Sequence, residues 1–533
     1  MELLDNLRKR VGILDDIMGK TPKEVMVEKY DPEKYGPIAI FEGKEGYKEA
    51  ERYWVDEPYA FVTILYDDKK NEYLYYVVEP ALTPFEKELL EELHARLQDV
   101  LIVEDVDKTV DKEKVLSDKI KELMMNYMED VDLKTFIKIL YFIRRNYLKV
   151  GRIHPLMNDA FIEDISCNGP GAPVFLYHKN YENIETNIIF DEDELYSFVV
   201  RLAQQCGKHI SIADPMIDAT MIDGSRIQMT LGKEVSTKGS TFTIRKFQEI
   251  PITPIDLISW NTFSSEMMAY FWLCIENNKS LIFAGGTASG KTSSLNAVCL
   301  FIPPKSKIVT LEDTRELKLP HPNWIAQVTR ESFTGGEISK IDMYELLRAA
   351  LRQRPEYLLV GEVRGKEALV LFQAMSTGHT TFSTMHADSV PSVIYRLENE
   401  PINVPRTMLQ VLDIASIQIQ VYIGEKRVRR ADRIAEITDI DPTTKKIQTT
   451  DIFVWNPIAD NFEKTGESLV LAEIQQRKGW NKKELCRELE NRQTVLEYVL
   501  EKGIKDHRGI IKIIQAYYID SKKLMKKIAD KTL

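Results

Sequence analysis

Residues 285–292 are Gly285-Gly286-Thr287-Ala288-Ser289-Gly290-Lys291-Thr292. They fit the pattern G-x-x-x-x-G-K-[ST] of a phosphate-binding loop and lie between an apolar predicted strand, 280–284, and a predicted helix, 291–300. Glycines let the backbone curl so that several N–H groups point at one oxyanion, and the helix dipole adds to the attraction. We therefore expect this loop to bind ATP, with Lys291 on the β- and γ-phosphates and the Thr292 hydroxyl on Mg²⁺. The alternative is a glycine-rich turn that matches by chance.

Two glutamates follow apolar predicted strands. Glu312 comes after 307–311, and Glu362 comes after 357–360 and Gly361. Carboxylates at the C-terminal ends of parallel strands face the same crevice as the phosphate loop. We expect Glu362 to act on Mg²⁺ through water and Glu312 to activate the attacking water, although the reverse assignment stays open. The alternative is a pair of strand-end acids that cap helices.

Two histidines, His379 and His386, bracket a short predicted strand in the segment 377–388. A pair of this kind is a candidate sensor of the γ-phosphate, because its hydrogen bonds would change when the phosphate leaves. A lone histidine is more often a satisfied polar residue than a ligand. No cluster of Cys, His and acidic residues is near in sequence, so we expect no zinc. The basic run 426–430 is interpreted as a solvated face rather than a nucleic-acid contact.

The composition is that of a globular chain. Its 533 residues are 44% hydrophobic and 29% charged, which excludes a wholly disordered or fibrous protein, and its net charge of −11 gives no global attraction for nucleic acid. The five cysteines form no CxxC pair, which favours a reducing cytoplasm over a disulfide framework. The N-terminal stretch lacks the apolar core of a signal peptide, and no run of about 18 apolar residues occurs.

Changes in pattern along the chain predict its organisation. We expect an N-terminal extension at 1–108, with a helical arm in 1–30, a β-hairpin in 58–80 and a helix, and an α+β domain at 109–249. A proline-marked linker at 250–254 leads to a core at 255–423, where helices and strands alternate as in an α/β fold with a parallel sheet. Residues 424–533 are predicted to form a hairpin and C-terminal helices.

Four motifs occur together in this core: the phosphate loop at 285–292, an aspartate box at 309–317, an atypical Walker B motif at 357–364 and a histidine box at 377–388. In this order they resemble the ATPases of the type II and type IV secretion, pilus and archaellum superfamily. The resemblance covers residues 155–423 well and the ends more loosely.

This resemblance implies a homohexamer whose RecA-like core follows a PAS-like α+β domain, with ATP bound between the two domains. It favours Glu312 as the catalytic base. Two arginines of the N-terminal domain reach the nucleotide phosphates in relatives, and the matching positions here are Arg226 and Arg245.

The first hundred residues and the segment 165–171 resemble the archaeal branch, and most closely the archaellum motor ATPase. The absence of a four-cysteine module after the core differs from many bacterial type II secretion ATPases. The resemblance implies a peripheral location at the inner face of the cell membrane, a polytopic platform protein as partner, accessory ATP-binding and ring proteins, and contact with an anionic membrane surface. Alternatives are an archaeal pilus or secretion ATPase, a RecA-like nucleic-acid translocase, and a nucleotide switch without turnover.

Overall fold

The computed structural model describes residues 30, 32–103, 133–247, 251–330, 341–424, 426–440, 447–504 and 506–530. The predicted arm before residue 30 and the predicted boundary at 108/109 lie outside these residues. The chain divides into two compact units, an N-terminal unit (1–248) and a C-terminal unit (249–533). Each is described by itself.

The N-terminal unit contains a nine-stranded sheet in the order β1-β2-β3-β6-β5-β4-β9-β8-β7. Its strands are β1 (Lys48–Asp56), β2 (Ala60–Asp67), β3 (Glu72–Val78), β4 (Ile162–Cys167), β5 (Pro173–His178), β6 (Glu182–Ile189), β7 (Met216–Thr220), β8 (Arg226–Thr230) and β9 (Thr241–Arg245). Its described α-helices are α1 (Pro32–Tyr35), α2 (Pro84–Val103), α3 (Leu133–Tyr147), α4 (His154–Asn158) and α5 (Glu192–Gln205).

One long-range pairing shapes this unit. The predicted hairpin forms β2 and β3, and β3 pairs in parallel with β6 through Leu74 and Glu185. Residues from the predicted extension, 1–108, and from the predicted α+β domain, 109–249, therefore share one sheet. Helix α5 packs on it through apolar residues spaced three and four apart, such as Leu195, Phe198 and Leu202.

The C-terminal unit contains a second nine-stranded sheet, in the order β12-β11-β13-β14-β10-β15-β16-β17-β18. Its strands are β10 (Leu281–Gly285), β11 (Ile308–Glu312), β12 (Trp324–Val328), β13 (Tyr357–Val360), β14 (Thr380–Met385), β15 (Ile414–Ile423), β16 (Lys426–Ile440), β17 (Ile447–Asn456) and β18 (Asn461–Lys464). Neighbours from β12 to β15 are parallel, and those from β15 to β18 are antiparallel.

Apolar clusters cover both faces of this sheet, as a buried parallel sheet requires. The described α-helices of the unit are α6 (Pro254–Ser259), α7 (Ser265–Glu276), α8 (Lys291–Val298), α9 (Met343–Leu351), α10 (Glu367–Ser376), α11 (Val390–Glu398), α12 (Leu469–Lys478), α13 (Lys482–Glu501) and α14 (His507–Ala529). The predicted α/β fold class is confirmed.

The C-terminal helices belong to the core of this unit. The fully buried Glu436 of β16 accepts hydrogen bonds from the N–H groups of Leu469 (2.8 Å) and Val470 (3.1 Å) in α12 and from the hydroxyl of Tyr270 (2.7 Å) in α7. The segment 424–533, predicted as a separate region, therefore continues the sheet of the core and packs against its helices.

Candidate active site

The phosphate loop joins the end of β10 to the start of α8, as the motif requires. Gly290 is the N-cap of α8 at φ +92°, and no side chain caps this end, so the first N–H groups of the helix remain available to an anion. At Gly285, a Cβ atom would lie 2.3 Å from the carbonyl oxygen of Gln418 in the neighbouring strand β15. Only glycine fits where the loop leaves the sheet.

Lys291 is the first residue of α8 and directly follows Gly290 of the loop. Its side chain is buried, and its Nζ donates a hydrogen bond of 2.6 Å to the carbonyl oxygen of Gly286. Burial lowers the pKa of Lys291, and the charge of Glu362 opposes that effect. The amine is therefore held within the loop, where the motif places it for a phosphate oxygen.

His386 and Glu362 follow the adjacent strands β14 and β13 and meet beside Lys291. The Nδ1 atom of His386 lies 3.4 Å from Nζ of Lys291, and its Nε2 lies 3.3 Å from Oε1 of Glu362. Arg364 donates a 2.6 Å hydrogen bond to the other oxygen of Glu362. Burial alone would raise the pKa of Glu362, but Arg364 holds it below its usual value, so this carboxylate is ionised at neutral pH.

Glu312 ends β11, one strand beyond β13. Its Oε1 accepts hydrogen bonds from the N–H groups of Glu316 (2.8 Å) and Leu317 (2.9 Å), while its Oε2 is buried without a hydrogen-bond partner among the described residues. Burial raises the pKa of Glu312 to about 7, which suits a group that must take a proton near neutral pH.

Gly361 explains how Glu312 is accommodated. Because β11 pairs with β13, the two residues are neighbours, and a Cβ atom at position 361 would lie 3.2 Å from Cγ of Glu312. An acidic side chain at this point of the Walker B motif would crowd Glu312. The glycine therefore leaves room for the buried carboxylate.

A family model described as Type II/IV secretion system protein matches residues 149–457, more than half of the chain. The chain belongs to the family of type II/IV secretion system ATPases. Models described as PilB3-like, N-terminal and PilB3-like, C-terminal match residues 6–81 and 458–532. The predicted resemblance is thereby confirmed for the family, and this secretion ATPase is an ATP-hydrolysing enzyme.

Its relatives include archaeal and bacterial proteins. An uncharacterized protein of Methanocaldococcus jannaschii is 43% identical over 386 residues, which are 72% of this chain and 70% of that protein. The type IV secretion system protein PtlH of Bordetella pertussis is 29% identical over 273 residues, 46% of this chain and 78% of PtlH. Among solved structures, the ATPase DotB of Legionella pneumophila is 18% identical over 68% of this chain and 93% of DotB, with a TM-score of 0.39.

The two predicted histidines of the secretion ATPase lie at opposite ends of β14. His379 precedes the strand, and its Nδ1 lies 3.2 Å from the Thr377 hydroxyl and 3.3 Å from the carbonyl oxygen of Ala374. Seven residues at about 3.3 Å each place it roughly 20 Å from His386. Because the phosphate loop lies at the C-terminal ends of the parallel strands, His386 is brought to Lys291 and His379 is not. The prediction of His379 as a site residue is corrected accordingly.

The two predicted arginines belong to the N-terminal unit. Arg226 and Arg245 are register partners on the adjacent strands β8 and β9. Nε of Arg245 donates to Oδ1 of Asp164 at 3.3 Å, and 63% of the Arg245 side chain is exposed. The structure thus brings the two arginines to one place on the sheet, and their contact with a nucleotide remains a prediction.

The basic run 426–430 contains a contact that the sequence interpretation missed. Nε of Arg429 donates a 2.9 Å hydrogen bond to the carbonyl oxygen of Ala288 in the phosphate loop. Arg430 is buried and binds both carboxylate oxygens of Asp460 (2.7 and 2.8 Å). A solvated face is therefore the wrong interpretation for these two residues. Their place on a predicted strand indicates that the two side chains point to opposite faces, but it does not indicate their partners.

The residues at the loop fit Mg²⁺ bound together with nucleotide phosphates. Thr292 supplies a half-buried hydroxyl that makes no hydrogen bond among the described residues, and Glu362 supplies an ionised carboxylate. No group of three or more His, Cys, Asp or Glu side chains in the described part of the chain could hold a metal by itself. Mg²⁺ is usually bound through one or two protein oxygens, phosphates and water, so this sparse set is sufficient.

Proposed function

We propose that this secretion ATPase is a motor that uses ATP hydrolysis to assemble a surface filament of the type IV pilus and archaellum kind. The observation that carries the proposal is the contact of His386 with both Lys291 and Glu362 at the phosphate loop. A group that touches both the phosphate-binding amine and the metal-side carboxylate can respond to the presence of the γ-phosphate.

In this proposal the residues of the chain divide the work of hydrolysis. The free N–H groups at the start of α8 bind phosphate oxygens, and Nζ of Lys291 exchanges the carbonyl of Gly286 for the β- and γ-phosphates. Glu312 takes a proton from the attacking water, and Glu362 orients water near Thr292. Mg²⁺, when bound there, neutralises charge on the phosphates.

Release of the γ-phosphate then removes contacts of Lys291 and His386, and this difference in contacts is what can drive a conformational change. We expect Arg226 and Arg245 to contact the phosphates as in relatives, and six copies to form a ring. The motion would pass to a polytopic platform protein and its accessory ATP-binding and ring proteins, with the ATPase held at an anionic cytoplasmic face of the membrane. None of the described helices combines the length and the apolar content of a membrane-crossing segment.

Two filaments are candidates. The resemblance of residues 165–171 and of the first hundred residues supports an archaellum motor. The PilB3-like models at both ends of the chain favour the second candidate, an archaeal pilus-assembly or secretion ATPase. Deleting the gene in its host separates them, since loss of swimming with intact adhesion supports the first, and loss of adhesive pili with intact swimming supports the second.

The enzymatic part is tested on the purified full-length chain. We expect Mg²⁺-dependent ATP hydrolysis, a sixfold mass by light scattering with ATP, and loss of hydrolysis in Lys291→Ala. The control is Lys305→Ala, an exposed lysine of the same unit, which should hydrolyse ATP normally. Normal turnover by Lys291→Ala would place the site elsewhere. Stimulation by DNA and not by anionic vesicles would instead support a nucleic-acid translocase.

A further inference from the structure

In the order of the strands, the β15–β16 hairpin lies on one side of β10, and the strands of Glu312 and Glu362 lie on the other. The hairpin supports the phosphate loop from its own side. Strand β15 is next to β10, and its Gln418 places a carbonyl oxygen against Gly285 where the loop begins. The buried Gln418 side chain also donates a 2.6 Å hydrogen bond to the hydroxyl of Ser294 in α8. One residue of the hairpin thus contacts both the start of the loop and the helix that follows it.

Arg429 of β16 completes this support. Its Nε donates to the carbonyl oxygen of Ala288, and a Cβ atom built on Gly290 would lie 3.2 Å from Cδ of Arg429. The arginine therefore covers the outer turn of the loop with its aliphatic stem and binds it with its guanidinium. No other described side chain donates a hydrogen bond to the Ala288 carbonyl.

The turn at Ala288 needs such support. Its φ is +60°, a left-handed conformation that a residue with a Cβ atom rarely adopts. In this conformation the Ala288 carbonyl accepts the hydrogen bond from Arg429. A left-handed conformation raises the free energy of a residue that has a Cβ atom, and it persists only where surrounding contacts hold it.

Pairing with β15 sets the direction of the Arg429 side chain. Arg429 pairs with Gln420, and an irregularity between Ile417 and Gln418 shifts the register of the hairpin. Side chains alternate along the strand, so Arg430 enters the core beside Asp460 while Arg429 extends over the loop. The position of Arg429 is therefore fixed by the sheet.

We infer that Arg429 is a positioning residue of the nucleotide site, which holds the phosphate loop in its anion-binding shape before nucleotide binds. The inference rests on the nucleotide site of the proposed function and adds a second element to it. The loop binds the β-phosphate, which ADP and ATP share. Loss of Arg429 should therefore weaken the binding of both nucleotides equally. Such uniform binding changes KM and leaves kcat nearly unchanged.

The test compares Arg429→Ala, Arg429→Lys and Arg427→Ala in the full chain. Arg427 lies two residues away on the same strand and donates a hydrogen bond to Gln420, so Arg427→Ala removes the same charge from a residue bonded to the neighbouring strand. We expect Arg429→Ala to raise Kd for ADP and for a non-hydrolysable ATP analogue by a common factor of about ten, with a similar rise in KM. Arg429→Lys should recover part of the loss, and Arg427→Ala should bind normally.

Each other result overturns the inference. A fall in kcat at unchanged KM, or a loss confined to the ATP analogue, would assign Arg429 to the γ-phosphate instead of to loop shape. An equal rise in Kd for Arg427→Ala would mean that the positive charge matters and the contact with the loop does not. An unchanged Kd for Arg429→Ala would mean that Arg429 does not act on the site. Calorimetric titration measures both nucleotides, and circular dichroism confirms folding. If the wild type itself binds no nucleotide, the proposed function fails first.

Discussion

Nζ of Lys291 lies 3.4 Å from Nδ1 of His386 and so links the phosphate loop to the residue that follows β14. Burial and the charge of Lys291 lower the pKa of His386, so the ring is neutral at neutral pH and one of its nitrogens can accept a hydrogen bond. A protonated ring would repel the lysine. The contact is thus a hydrogen-bond relay rather than an ion pair.

Replacing this histidine tests the relay. We expect His386→Asn to lower kcat roughly tenfold to a hundredfold, because the link between Lys291 and Glu362 is lost while the loop still binds phosphate. Steady-state kinetics of phosphate release measures the effect. The matched control is His379→Asn at the other end of β14, which should keep wild-type kinetics. Equal losses in the two variants would mean that the contact with Lys291 has no special role.

The pH dependence of hydrolysis should report Glu312. A base must be deprotonated to accept a proton, and burial raises the pKa of Glu312 to about 7. We therefore expect kcat to fall as pH drops below about 7, and Glu312→Gln to lose at least a hundredfold in kcat while binding ATP normally. A wild-type profile that stays flat down to pH 5, with full activity in Glu312→Gln, would transfer the role of base to Glu362.

The raised pKa of Glu312 also makes the free energy of unfolding depend on pH. Because the pKa of Glu312 is raised in the folded protein above its usual value of 4.5, its contribution is fully present below about pH 4.5 and is lost as pH rises through about 7. The difference corresponds to about 3 kcal/mol. Glu312→Gln should therefore resist urea better than the wild type at pH 8, with the advantage shrinking toward pH 5. An advantage independent of pH would contradict the assignment.

Arg245 tests the link between the N-terminal unit and catalysis. Its exposed ion pair with Asp164 should contribute less than about 1 kcal/mol, so Arg245→Ala is expected to keep its stability. If the side chain neutralises phosphate charge, kcat should fall roughly a hundredfold. Arg152→Ala removes a partly exposed arginine of the same unit that pairs with Glu194, and it serves as the control. Normal hydrolysis by Arg245→Ala would remove this arginine from the site.

The sequence predicted the parts of the site that depend on local spacing. Strand, glycine loop and helix follow one another between 280 and 300, and the structure has β10, the loop and α8 in this order. The placement of His379 could also have been deduced, because only the C-terminal ends of parallel strands meet the loop. Arg429 could not, since its contact with Ala288 requires knowing that β15 and β16 continue the sheet beside β10.

The joining of β1–β3 and β4–β9 in one sheet could not be predicted from the sequence, for a similar reason. Pairing of Leu74 with Glu185 joins residues that are far apart in the chain, and no local pattern indicates which strands will become neighbours. Glu436 is another example: in the sequence it is one acid in a charged strand, yet in the structure it is fully buried. Its partners, Leu469 and Val470, come from a helix more than thirty residues later.

Glu436 accordingly allows a test of whether the C-terminal helices are part of the core. Glu436→Ala would leave the N–H groups of Leu469 and Val470 and the hydroxyl of Tyr270 without their buried acceptor, at a cost of about 3–5 kcal/mol. We expect hydrogen exchange in α12 to accelerate strongly, because its first turn loses its anchor. Glu463→Ala, which removes an exposed acid of β18, should leave α12 protected. Unchanged protection of α12 in Glu436→Ala would show that apolar packing alone holds this helix on the sheet.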